Sequence, residues 1–325
     1  MNPAPSHPAS YQRVFHARWG HLTRAPVRAL AWLLDSPDLL DGGAPEWAGR
    51  VATLGPVTPE TADWLARLDA DPRELDTALG ARPYTRLGLY AEKLMAFYFA
   101  RQGCLVAHGL QIRANRNDTV GEFDFLLESG PDALEHIEFA TKFYLQEESG
   151  AGNLDTLVGP NLADTLGLKM RKIFERQLAL GQHPAAQAQL PRPVSHAAAL
   201  VKGWLFYPAG SWPAMQGITA NHCRGFWCAL DELHELDASP DEAWTILPKL
   251  EWLAPLRTTT EACLLTRAQL AAELTDRFAT TNTPVLIARM YQFEETERGF
   301  IVPTDWRLRA ARYPKPPQKT QSGSE

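Results

Sequence analysis

The sequence predicts an α/β fold: a central mixed sheet flanked by helices, with a helical region before it and a mixed extension after it. Two observations carry this. A helical stripe over 86–102 gives way to β-patterned runs at 105–112, 122–127 and 135–145. Further apolar runs at 197–207 and 285–302 supply more strands after a helical segment. Composition agrees, since 45% apolar and 22% charged residues over 325 positions suffice for a large core and exclude a mainly disordered chain.

Taken in order, residues 1–10 are Pro- and Ser-rich and read as loose. Residues 1–80 form a helical N-terminal region. Val27, Leu30, Ala31 and Leu34 recur at helical spacing until Ser36-Pro37, and Thr58 caps a helix over 59–68 with Pro59 at its first position. The central unit is 81–207. Leu87, Tyr90, Ala91, Leu94, Phe97 and Tyr98 line one helical face, and Gly103 closes the helix. Strands over 105–112 and 122–127 flank a polar turn at 113–119, and a third strand covers 135–145. Gly159-Pro160-Asn161 breaks the chain, Asn161 caps a helix running to about Leu180, and 197–207 forms a buried strand. Residues 208–306 form the extension, helical over most of 222–281, with Trp227, Trp244 and Trp252 as core. Its 284–303 hairpin is placed to join the central sheet, and 307–325 read as a disordered basic tail.

Several function classes drop out. Lys+Arg 32 against Asp+Glu 38 gives a net charge of −6, so contact with nucleic acid requires a local basic patch. No run reaches the roughly 18 apolar residues of a membrane span. The N-terminal stretch has no apolar leader core, and four cysteines make no disulfide framework, so a cytoplasmic protein with reduced thiols is expected. His222-Cys223-x4-Cys228 lacks a second pair for zinc, and Phe226 and Trp227 mark it as core. Walker A, dinucleotide and Gly-x-Ser-x-Gly motifs are missing.

The chemistry gathers on two strands. Residues two apart on a strand share a face, so Glu122 and Asp124 point one way and Phe123 and Phe125 the other. Glu138, Ala140 and Lys142 likewise share a face of the next strand. Charged groups inside apolar strands are costly unless paired or ion-bound, and clustered carboxylates repel. A hard divalent cation, Mg²⁺ or Mn²⁺, resolves both problems, and a nearby lysine then holds or deprotonates the attacking water. Residues 121–164 carry ten acids and one base (Lys142), whereas 165–202 carry six bases and one acid. An acidic centre followed by a basic helix suits a metal site that draws in a polyanion.

Gly88-x3-Glu92 on a helix, Gly103 at its end, Gly121-Glu122-x-Asp124 on a strand and Glu138 on the next resemble the PD-(D/E)xK, or restriction-endonuclease-like, nuclease superfamily. The arrangement is most similar to the small Holliday-junction-resolvase-like nucleases. This resemblance covers about 86–207. A second one spans most of the chain. Gly-Glu-Phe-Asp-Phe, His-Ile-Glu-Phe-Ala-Thr-Lys-Phe-Tyr-Leu, Gly-Pro-Asn, Lys-Gly-Trp-Leu-Phe-Tyr-Pro and Arg-Gly-Phe-Ile-Val-Pro resemble an uncharacterised bacterial family, domain of unknown function 1853.

The superfamily resemblance implies a restriction-endonuclease-like core and Mg²⁺-dependent hydrolysis of nucleic-acid phosphodiesters, DNA before RNA. It implies that Asp124, Glu138 and Glu92, with Glu122, bind metal. Lys142 takes the lysine role, Lys169, Arg171, Lys172 and Arg176 hold phosphates, and Gln177 matches a glutamine near substrate. The pattern departs at one position: the lysine belongs two residues after Glu138, where Ala140 stands. Lys142 is one strand repeat on, and four residues span roughly 13 Å, so it reaches back only if the strand twists or bulges. The same departure supports an alternative, a catalytically silent nuclease fold that binds nucleic acid or a protein partner.

Overall fold

A computed structural model describes residues 10–115, 118–147, 152–209, 213–237 and 241–313. Four helices lead: α1 (Tyr11–Trp19), α2 (Ala25–Asp35), α3 (Pro59–Ala70) and α4 (Arg73–Leu79). The Thr58 hydroxyl accepts the Thr61 N–H and Pro59 opens α3, as the sequence predicts. α5 (Leu87–Arg101) buries Tyr90, Ala91, Leu94 and Phe97, and the chain leaves it through Gly103 at φ +72°.

The strands β1 (Leu105–Asn115), β2 (Asp118–Glu128) and β3 (Leu134–Gln146) follow as an antiparallel meander. β4 (Leu157–Val158) pairs with the end of β3. Next come α6 (Leu166–Glu175), a 3₁₀ turn over Gln177–Gln182 and α7 (Pro184–Gln189). The chain then returns as β5 (Val194–Pro208), parallel to β3. β6 (Cys223–Ala229), β7 (Ala243–Ile246), α8 (Arg267–Phe278), β8 (Val285–Tyr291), β9 (Glu294–Val302) and α9 (Trp306–Ala311) complete the described chain. One nine-stranded mixed sheet results, eight strands in the order β1-β2-β3-β5-β6-β9-β8-β7 and β4 off this path against β3.

Helices cover both faces. α1, α2 and α5 pack with Phe125, Ile137, Phe139, Trp204 and Phe300 in one continuous cluster. On the other face α6 packs on Ala140, Tyr144 and Leu205, and α8 packs on Phe226, Cys228, Ile287 and Ile301. The N-terminal helices and the C-terminal hairpin therefore share a core. A buried polar knot joins them. Arg298 grips Glu295 through two bonds of 2.6 and 2.7 Å, donates to the Ala254 carbonyl and lies 4.2 Å over the Trp204 ring. Gln12 on α1 reaches Glu295 Oε1 at 3.3 Å, and both Glu295 and Arg298 are fully buried.

Several expectations change. Among the described residues of 222–281 only α8 is an α-helix, and Cys223–Ala229 runs as a strand between β5 and β9. A strand buried on both faces shows no alternation and reads like a buried helix. Asn161 caps nothing: Thr165 caps α6 through the Leu168 N–H, and Leu162 at φ +54° ends the preceding turn. α6 also stops at Glu175 rather than near Leu180. Gly121 lies within β2, as expected, and permits close packing there, since a Cβ would lie 3.0 Å from Leu180. Where the sequence reads a loose tail from 307, α9 (Trp306–Ala311) instead docks, with Trp306 5.0 Å from Trp227. Residues 1–9 and 314–325, and the centre of the 113–119 turn, lie outside the described residues.

Candidate metal centre

The site forms where β2 leaves β3. Their pairing runs from Glu128↔Leu134 to Phe125↔Ile137 and ends there. The next β3 amide, at Phe139, loses its strand partner, and a buried orphan N–H is costly. Asp124 replaces the strand: its Oδ2 accepts the Phe139 N–H at 2.9 Å. That bond plants the Asp124 carboxylate in the fork. On the far side, β1 pairs His108↔Phe125 and Leu110↔Phe123, which leaves Gly109 opposite Asp124. Gly109 sits at φ +62°, a conformation that favours glycine. A Cβ there would make only ordinary contact with Glu122 Oε1, at 3.7 Å, so it is the backbone conformation rather than space that calls for glycine.

Glu92, in the second turn of α5, completes the group. One carboxylate oxygen from each of Glu92, Glu122 and Asp124 lies within 4.8 Å of the others. Octahedral Mg²⁺ holds oxygens at about 2.0–2.1 Å, which sets them about 3–4 Å apart, so small side-chain rotations fit the three to such an ion. The donor set is all oxygen, the hard type Mg²⁺ and Mn²⁺ take. Gln111 donates to Glu122 Oε2 at 3.1 Å, and His108 Nε2 lies 2.9 Å from Glu92 Oε1.

Glu138 sits beside this trio. It is 2% exposed, and its carboxyl lies against that of Asp124 within reach of a shared proton. Gln177 donates to Glu138 Oε1, and Lys169 Nζ lies 3.5 Å from Gln177 Oε1. Glu138 Oε2 accepts from no donor among the described residues. Behind it stands His136, fully buried, with Nε2 3.7 Å from Glu138 Oε2. Burial pushes the His136 imidazole down to about 4, so it is neutral at pH 7. Both Asp124 and Glu138 are pushed well above the carboxylate range, first by burial. Asp124 is raised further by Glu138 and Glu92, whereas Lys169 pulls Glu138 back. Two stacked acids in a dry fork are an arrangement that a cation relieves.

Lys142 lies further along the Glu138 face of β3. Burial, and then Lys169, press its ammonium down to about 8, while Asp164, Glu138 and Asp124 pull it up. Ala140 is packed with Leu166 and Met170 under α6, so the usual lysine position faces an apolar floor. Tyr144 donates to Asp164 Oδ2 at 2.9 Å and fixes that acid near Lys142.

The structure thus brings together Glu92, Glu122 and Asp124, places Glu138 against Asp124, and sets Gln177 on Glu138 with Lys169 behind. Lys172 is exposed on α6 but still lowers Glu138 through its field. Arg176 is exposed just beyond α6. Arg171 is engaged elsewhere, clamping Asp155 through contacts of 2.8 and 3.2 Å. Sequence reasoning passed over His108, His136 and Asp164. His136-x-Glu138 on one strand face was a legible signal, whereas nothing in the sequence pairs His108 with Glu92.

Fold and site together define a mixed α/β chain with an acidic fork in its sheet. The chain belongs to the family described as Domain of unknown function (DUF1853), whose model matches residues 28–302. No curated protein and no solved structure is matched by the chain. Among the described residues no helix is long and apolar enough to cross a membrane.

Proposed function

We propose that this protein is a metal-dependent nuclease hydrolysing nucleic-acid phosphodiester bonds, with DNA the favoured substrate, on a restriction-endonuclease-like core. The observation that carries the reading is the convergence of Glu92, Glu122 and Asp124 within 4.8 Å beside a buried Glu138. The order helix, three-strand meander, helix, parallel strand around this fork supports it. Glu92, Glu122 and Asp124 hold the divalent cation, Mg²⁺ or Mn²⁺. When bound, such an ion polarises a phosphoryl oxygen and acidifies its water. Glu138 braces Asp124 and is itself held by Gln177. Lys142, with an ammonium near 8, exists partly as the free amine at neutral pH and so can orient or deprotonate the attacking water. Lys169 and Lys172 face the same acids and receive phosphate charge, which gives affinity without base specificity.

The experiment is nicking of supercoiled plasmid with Mg²⁺ or Mn²⁺, wild type against Asp124→Ala. Cleavage that vanishes in the variant and with chelator supports the reading; a metal-independent or absent signal removes it. Ala140 in the lysine position favours a second reading, a silent nuclease fold that binds nucleic acid or a protein partner. Retained DNA binding without cleavage in the same assay selects it.

A further inference from the structure

We propose that His108 is a positioning residue for this centre: it orients Glu92 from β1 and so sets how tightly the three carboxylates take a divalent cation. The inference rests on the metal-site reading above. Three observations carry it. His108 Nε2 lies 2.9 Å from Glu92 Oε1, and it is a buried nitrogen with no hydrogen bond of normal geometry. The 2.9 Å approach makes Glu92 Oε1 its nearest polar neighbour across the gap between β1 and α5. The imidazole is held in place from its other side, stacked on Phe125 at 5.4 Å and 24° in the rung that pairs the two residues. The following residue is Gly109, whose φ of +62° bends β1 at the point facing Asp124. His108 and the ion cradle are thus fixed by the same bend.

The physical reason is entropic and electrostatic. Glu92 carries a long side chain on a helix, and ordering its rotamer opposes binding. A donor fixed on the neighbouring strand orders it beforehand. Outer partners of this kind typically change metal affinity by roughly ten- to a hundredfold.

Stacking and donation separate by substitution. His108→Phe keeps an aromatic ring on Phe125 but has no donor; His108→Gln gives up the ring but presents an N–H at similar reach. Mn²⁺ binding to the full chain, read by electron paramagnetic resonance, needs no substrate. Wild type is expected to bind, Asp124→Ala to lose binding, and His108→Phe to weaken it about tenfold. His108→Gln is expected to stay within about threefold of wild type, since it restores the donor. His108→Leu replaces His108→Phe if the latter does not fold. Wild-type affinity in His108→Phe, or equal weakening in His108→Gln, overturns the role of His108 while leaving the ion site standing. No Mn²⁺ binding by wild type overturns the metal centre itself, and this inference with it.

Discussion

Asp124 does two jobs that conflict. Its Oδ2 replaces a missing strand at the Phe139 amide, which stabilises the fork, while its charge is buried beside Glu138. A carboxyl whose folded pKa is raised binds its proton more tightly in the folded state. That favours folding at low pH and opposes it as pH rises through the unfolded value towards the folded one. Asp124→Asn keeps an acceptor for Phe139 and removes the charge. It is expected to raise stability at pH 8 by about 1–3 kcal/mol, at about 1.4 kcal/mol per pKa unit. The gain should shrink towards zero only below about pH 3, under the unfolded-state values of both acids, where both are protonated in either state. Urea unfolding of the two proteins at both pH values checks this; equal stability at pH 8 would show that the fork is not electrostatically strained.

At the scale of elements, the site depends on how β3 is held from its other edge. Gly203 on β5 is in register with Lys142, and a Cβ there would lie 2.1 Å from the Lys142 carbonyl oxygen. The obstruction is backbone, so it cannot swing aside. Gly203→Ala is expected to cost about 3 kcal/mol or more and to part the two strands at the rung that aims Lys142. The urea midpoint reports the cost; an unchanged midpoint would mean that β5 relaxes freely. These elements were unequally legible in the sequence. α5 and the Glu122–Phe125 stretch of β2 could be read because each buries a helical or alternating subset of residues, whereas β3, buried on both faces, was legible through its Ile, Phe, Thr and Tyr content. β6 could not, because Phe226, Cys228 and Trp227 are all buried, on opposite faces. The fork was only half legible. The shared acidic face was readable in Glu122-x-Asp124 and Glu138, whereas the end of β2–β3 pairing, the bend at Gly109 and the approach of His108 are tertiary facts. Ala140 illustrates the difference: as sequence it is a missing lysine, and in the fold it is the floor on which α6 rests.

For the molecule as a whole, the buried knot at Glu295 and Arg298 joins elements from both ends of the chain. Glu295 accepts from Gln12, from Arg298 and from the Leu256 N–H, the last at 2.8 Å. Removing one member of a buried pair leaves the other charge uncompensated, which typically costs about 3–5 kcal/mol. Glu295→Ala is therefore expected to lose about that much, with α1 released together with the β8–β9 hairpin. Calorimetry gives the loss, and amide exchange in 11–19 shows whether α1 detaches; full protection there would place the knot outside the cooperative unit.

The same knot has a consequence for biosynthesis. Gln12 and Glu295 are 283 positions apart, so the first helix emerges from the ribosome long before its partner is translated. Until then Phe15, Trp19 and Trp32, all buried in the finished protein, have no complete surface to close upon. α1 can dock on this knot only after Glu295 has been translated, an interval that leaves apolar aromatic side chains open to aggregation.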